Sequence, residues 1–220
     1  MEHQKPSNSY PRYDGSYALG AVVERERRQS MLRASHISPL TDWVEATRSQ
    51  TGLGLHIPYF DPLDGGAHAR VLFLLEAPGP KAVSSGFISR DNPDPTARNF
   101  RMLLAEAGIP REASALWNIV PWYIGSGEKI RPAMRSDIDD GRVHLPGLLA
   151  QFSRLEALAL VGRKAQQARE RIQRLTSARI FESFHPSNQV VTCWPEKREC
   201  LRNQLQEVAQ FLVSSSEIGT

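Results

Sequence analysis

Three residues of this chain combine reactive chemistry with a promising position: Glu76, Asn118 and His185. Glu76 directly follows the apolar run 71–75 and precedes the rigid turn Ala77-Pro78-Gly79-Pro80. A carboxylate at the end of a buried strand can hold a water or face a developing positive charge, and the turn can bring backbone N–H groups close to a ligand. Asn118 sits in Leu116-Trp117-Asn118-Ile119-Val120. Its amide sets a donor beside an acceptor, which suits a pyrimidine edge or, more plainly, neighbouring backbone. His185 is fixed by Pro186 and can donate to an oxygen that gains charge as a leaving group departs, although a turn histidine is the simpler reading. The Ser187 hydroxyl can hold a phosphate. Phe87, beside Gly86 in a polar loop, either stacks on a flat ring or anchors the loop in the core.

Other site classes fit poorly. The chain has no Walker-type phosphate loop, no Gly-x-Gly-x-x-Gly fingerprint and no Gly-x-Ser-x-Gly elbow. Its six histidines show no His-x-x-x-His spacing and its two cysteines no Cys-x-x-Cys, so neither a metal nor a cofactor is expected. Cys193 and Cys200 cannot supply four thiolates to a cluster and are read as reduced and structural. A net charge of +3 permits a polyanionic partner without demanding one. No apolar run approaches the roughly 20 residues of a membrane helix, and the first residues lack a signal-peptide core. A cytoplasmic monomer with no membrane partner is the expectation.

The elements that must position these residues alternate. A helix is expected over 39–50, with Ser38 as N-cap and Pro39 at its first position. The run 71–75 reads as a strand buried on both faces. Asp94-Pro95 opens a helix whose buried stripe is Phe100, Leu103, Leu104 and Ala107, with Arg98, Asn99 and Arg101 on the other face. Strands over 116–120, 155–161 and 179–183 alternate with helices over about 137–152, from 163 onward (Ala165, Ala168, Ile172, Leu175 inward) and from Pro195 (Leu201, Leu205, Val208, Leu212 inward). This is an α/β chain: a three-layer α/β/α sandwich around a short, four-stranded, mostly parallel sheet. Residues 1–55 are set apart as an N-terminal arm and helical extension, and residues 56–220 as the α/β domain. Parallel strands place their carboxyl ends on one edge, so Glu76, Asn118 and His185 can share a crevice.

In this order Leu75-Glu76-Ala77-Pro78-Gly79, Gly86-Phe87, Asn118 and His185-Pro186-Ser187 resemble the uracil-DNA glycosylase superfamily, closest to its Gly-Glu-Ala-Pro-Gly branches. The resemblance spans about residues 70–212. It implies an α/β/α sandwich and a monofunctional glycosylase that releases uracil or a related base flipped out of single- or double-stranded DNA; a non-catalytic nucleic-acid-binding module of the same fold is the alternative. By resemblance, Glu76 and His185 are catalytic, Glu76 positioning water or supporting the sugar cation and His185 stabilising the departing base. Ala77, Pro78, Gly79, Phe87 and Asn118 hold the base, with Phe87 stacking and Asn118 reading the edge. Pro186, Ser187, Asn188 and Gln189 meet the DNA, and residues through Val191 wedge into the gap. Two departures stand out: the cluster cysteines of those branches are missing, and Leu75 replaces the usual Gly, narrowing the room beside Glu76.

Overall fold

A computed structural model describes residues 17–127 and 129–218; the expected N-terminal arm lies, through residue 16, outside them. The elements are α1 (Val22–Ser30), α2 (Ser38–Thr51), β1 (Tyr59–Phe60), β2 (Val71–Leu75), α3 (Pro80–Ser85), β3 (Phe87–Ile88), α4 (Pro95–Glu106), β4 (Ser114–Asn118), β5 (Gly125–Ser126), β6 (Lys129–Ile130), α5 (Arg135–Arg142), α6 (Leu145–Leu149), β7 (Ala157–Val161), α7 (Arg163–Gln166), α8 (Arg169–Gln173), β8 (Arg179–Ser183) and α9 (Pro195–Ile218). The main sheet runs β4-β2-β7-β8, every neighbouring pair parallel. Helices flank it: α9 packs on β7, β8 and α4, and α7 on β7 and β2. The expected sandwich on a four-stranded parallel sheet is the fold of the chain. No described helix is long and apolar enough to cross a membrane.

The continuous apolar runs explain why β2 and β7 are central. Leu72, Leu74, Leu158 and Leu160 are fully buried, each contributing about 1.5–3 kcal/mol of transfer free energy. Register then fixes the strand ends. Leu75 pairs with Asn118, so β4 spans 114–118 rather than 116–120, and Ile119 continues by donating its N–H to Leu75 O at 2.8 Å.

Local chemistry corrects several boundaries. Ser38 lies inside α2, whose N-cap is Ile37. The helix expected over 137–152 is two, α5 and α6, because Pro146 cannot continue a ladder but suits a first turn. The helix after Gly162 is likewise split at residues 167–168. Asn99 is buried, not on an exposed face. Cys193 and Cys200 are free thiols on the exposed surface, so neither packs in the core.

The described part of residues 1–55 is built into the same core. Ile37, Leu40 and Val44 are fully buried among the sheet residues, and Leu19 and Leu32 pack with Phe87 in a second cluster. Between them lies a network of ions. Arg28 of α1, 1% exposed, pairs with Asp61 and, at 2.6 Å, with Asp91. Arg111 reaches Asp61 at 2.7 Å, Asp64 at 2.9 Å and Asp91 at 2.8 Å, while Arg101 also pairs with Asp91. Burial pushes the Asp64 carboxyl up to about 6, with Arg90 and Arg111 opposing the rise. Burial also disfavours ionised Asp91, but Arg111 and Arg28 outweigh it and hold that carboxyl below the usual range. Ser89 joins by donating to Asp61 and accepting the Asp91 N–H at 2.9 Å.

Candidate active site

A cavity of about 330 Å³ opens at the carboxyl edge of the sheet. Its walls are mainly apolar, as in most small-molecule sites, and include Pro78, Ile88, Pro95, Phe100 and Leu116. Two polar side chains on its wall matter most. Asn118, 4% exposed, ends β4, and His185 lies two residues past β8. Neither side chain has a hydrogen-bond partner among the described residues, so the amide and the imidazole remain available to a ligand. The other buried amide there is spent: Asn92 accepts from Ser85 Oγ at 2.6 Å and donates to Phe87 O at 2.8 Å.

Sequence reasoning placed Ala77, Pro78, Gly79, Asn118 and His185 together, and all five line this cavity. Glu76 does not, although its neighbours Leu75 and Ala77 do. Its carboxylate turns to the loop after β6, where Oε1 accepts the Ala133 N–H at 2.6 Å. Lys164 Nζ donates to Ala133 O at 2.5 Å and fixes the same residue from its other side.

Phe87 is the clear correction. Strand alternation sends residues 87 and 88 to opposite sides. The pairing of β3 with β1 leaves Phe87 fully buried against Leu19, Leu32 and Tyr59, so it is the loop anchor. Ile88 faces the cavity instead, and the aromatic ring on its wall is Phe100. In sequence Phe100 reads as one residue of a core stripe, with nothing to mark it as a site residue.

Beyond His185 the chain is held rather than free. Asn99 of α4 donates to Pro186 O at 3.2 Å, a clamp that sequence reading missed by placing Asn99 outward. Ser187 Oγ accepts the Val190 N–H at 3.3 Å and keeps its own proton to donate. Asn188 and Gln189 are exposed, while Val190 is buried and Val191 packs against the core. Of the segment expected to wedge into the gap, packing therefore occupies Val190 and Val191 and leaves Asn188 and Gln189 exposed.

A sequence model of the Uracil DNA glycosylase superfamily matches residues 62–209, more than half of the chain. The chain belongs to that superfamily. No curated protein matches it in sequence. Among solved structures it is similar to the wild-type SMUG2 of Pedobacter heparinus, at 11% identity with a TM-score of 0.48, covering 86% of this chain and 87% of that one. The superfamily match starts at residue 62, after α1, α2 and Asp61. Leu75, which stands in place of the motif's Gly, is half-buried and forms part of the cavity wall. Among the described residues no group of three or more His, Cys, Asp or Glu side chains is suited to a metal ion.

One further residue positions His185. Gly162 directly follows β7 with φ +84°, and a Cβ added there would lie 3.1 Å from the His185 Cβ. An isolated Gly directly after an apolar strand signals such a close approach. Gly162→Ala is expected to displace the imidazole, lowering base release by about tenfold or more while DNA affinity changes little. Equal release by both proteins in a single-turnover assay would show that the ring position is set elsewhere.

Burial lowers the His185 pKa below its ordinary 6.5, because the charged ring is the form that loses solvation. The neutral ring, which keeps one N–H to donate, is therefore the favoured form at neutral pH. Base release is expected not to fall as pH rises from 6.5 to 8, since the neutral ring predominates throughout that range. A single-turnover profile that falls through this window would require a protonated His185 instead. For folding, a depressed histidine pKa contributes stability that is present above 6.5 and is lost as pH falls through the folded value.

Proposed function

We propose that this protein is a monofunctional DNA glycosylase that hydrolyses the N-glycosidic bond of uracil, or a closely related base, flipped out of DNA. The observation that carries this reading is the pairing of Asn118 and His185 on one apolar-walled cavity, both without protein partners among the described residues. A flat base entering it would meet an amide that offers a donor and an acceptor, beside a neutral donor.

The chemistry balances without a cofactor. The bond between C1′ and the base nitrogen breaks, and its electron pair leaves with the base. Negative charge gathers on the base oxygen, where the His185 N–H donates. Positive charge gathers on the sugar, which stays outside the base cavity. Glu76 also sits outside it, one residue from the cavity-lining Leu75 and Ala77. Its carboxylate suits that cation and can take the proton the water loses as its oxygen bonds to C1′, so that the hydroxyl stays on the sugar and the proton passes to the released base. The base must first leave its stack, at a cost of a few kcal/mol that contacts in the cavity offset.

The test is incubation of the purified protein with oligonucleotides bearing uracil or other modified pyrimidines, followed by scoring of alkali-labile sites. Release of at least one base supports the proposal. DNA binding without release of any would leave a binding module of the same fold.

A further inference from the structure

Glu76 and His185 reach the active edge from different strands, and one short turn of chain serves both. It is the start of α7, residues 162–166. Gly162 lies against the His185 side chain. Its N–H donates to Ser183 O at 2.8 Å, and the Gln166 side chain donates to the same oxygen at 3.0 Å, two residues before His185. Lys164, from the same turn, reaches the loop that holds Glu76.

The Glu76 backbone is pinned, because its carbonyl accepts the Val120 N–H at 3.0 Å. The side chain depends on less. Glutamate rotors carry up to about 2 kcal/mol of conformational freedom, and among the described residues one hydrogen bond, from the Ala133 N–H, limits them. That donor belongs to an irregular loop, residues 131–134, between β6 and α5. Such segments are the more mobile parts of a fold. Arg131 and the Met134 N–H close the loop on Asp137 with bonds of 2.6, 2.8 and 2.7 Å, but Asp137 belongs to the helix that follows directly. Among the described residues, the loop's hydrogen bonds to more distant parts of the chain are those of Ala133 with Glu76 and with Lys164.

The Lys164 bond, 2.5 Å long, is of the stronger, charge-assisted kind. Ala133 is buried. A buried carbonyl that loses its partner is costly, which favours a loop shifted toward water and takes the Glu76 partner with it. Lys164 itself does not line the base cavity.

We infer that Lys164 is a positioning residue for the Glu76 carboxylate, acting through the Ala133 backbone. The inference rests on the glycosylase reading above. It makes the first turn of α7 the common support of both catalytic side chains, Lys164 serving Glu76 and Gly162 serving His185.

Lys164→Met keeps the apolar stem and removes the charge and the donors, whereas Lys164→Arg keeps all three. Single-turnover release from a uracil oligonucleotide and DNA affinity are measured for both variants, and for Lys164→Met combined with Glu76→Gln. Lys164→Met is expected to lower release about tenfold with affinity unchanged, and Lys164→Arg to restore it. Once Glu76 is Gln, Lys164→Met should cost nothing further, because a residue that acts only through the carboxylate has nothing left to position. No loss, or the same fold-loss in both backgrounds, would overturn the inference. If the unaltered protein releases no base, the glycosylase reading fails, and the clamp is read from amide hydrogen exchange at Ala133. Exchange about tenfold faster in Lys164→Met than in the unaltered protein and Lys164→Arg would support the clamp; equal exchange in all three would overturn it.

Discussion

Glu76→Gln is expected to lower base release by about 10²–10⁴-fold while DNA affinity changes little. The substitution removes charge and basicity but keeps an oxygen where Oε1 now accepts the Ala133 N–H at 2.6 Å. The loop after β6 should therefore stay in place, and the loss is then chemical. Glu76→Ala tests the other half of the argument: it also frees the Ala133 N–H, so it should disturb the loop after β6 as well. Single-turnover rates and gel-shift affinities of the two variants provide the comparison. Turnover by Glu76→Gln within a few-fold of the unaltered rate would remove the carboxylate from the mechanism.

The second large effect is on stability. Arg28→Met is expected to destabilise the fold by about 3 kcal/mol or more, since it leaves Asp61 and Asp91 buried with part of their countercharge gone. For a chain of this length that corresponds to a fall in Tm of roughly 6–12 °C. The loss should persist in high salt, because these pairs are shielded from solvent ions. Urea unfolding of both proteins measures it. A difference below about 1 kcal/mol would show that Arg111 and Arg101 balance the aspartates by themselves.

The main sheet was legible because β2, β4 and β7 are short, apolar and closed by Pro or Gly, and the helices between them carry a clear 3.6-residue period. Asn118 and His185 were legible because strand ends in a parallel sheet converge whatever their distance in sequence. Phe87 misled because a two-residue strand carries no alternation signal to show which way its ring turns; β1 supplies that information only through pairing. The N-terminal segment misled in a similar way. Arg28 stands in the charged run Glu24-Arg25-Glu26-Arg27-Arg28, with nothing to set it apart, and its burial depends on aspartates at positions 61 and 91 that no local pattern connects to it. Gly162 was hidden because its meaning lies in the His185 side chain that stands next to it in space.

The ion network bears on how the chain closes on itself. Its partners are 33 and 63 residues from Arg28, so the cluster cannot form until loops of that length have closed. The sheet pairs mainly apolar strands and has no need of those charges. Ser89 belongs at once to the ionic cluster and to the cavity wall. The charges that bury Arg28 therefore also hold one side of the cavity, and a change in the network reaches the site through Ser89.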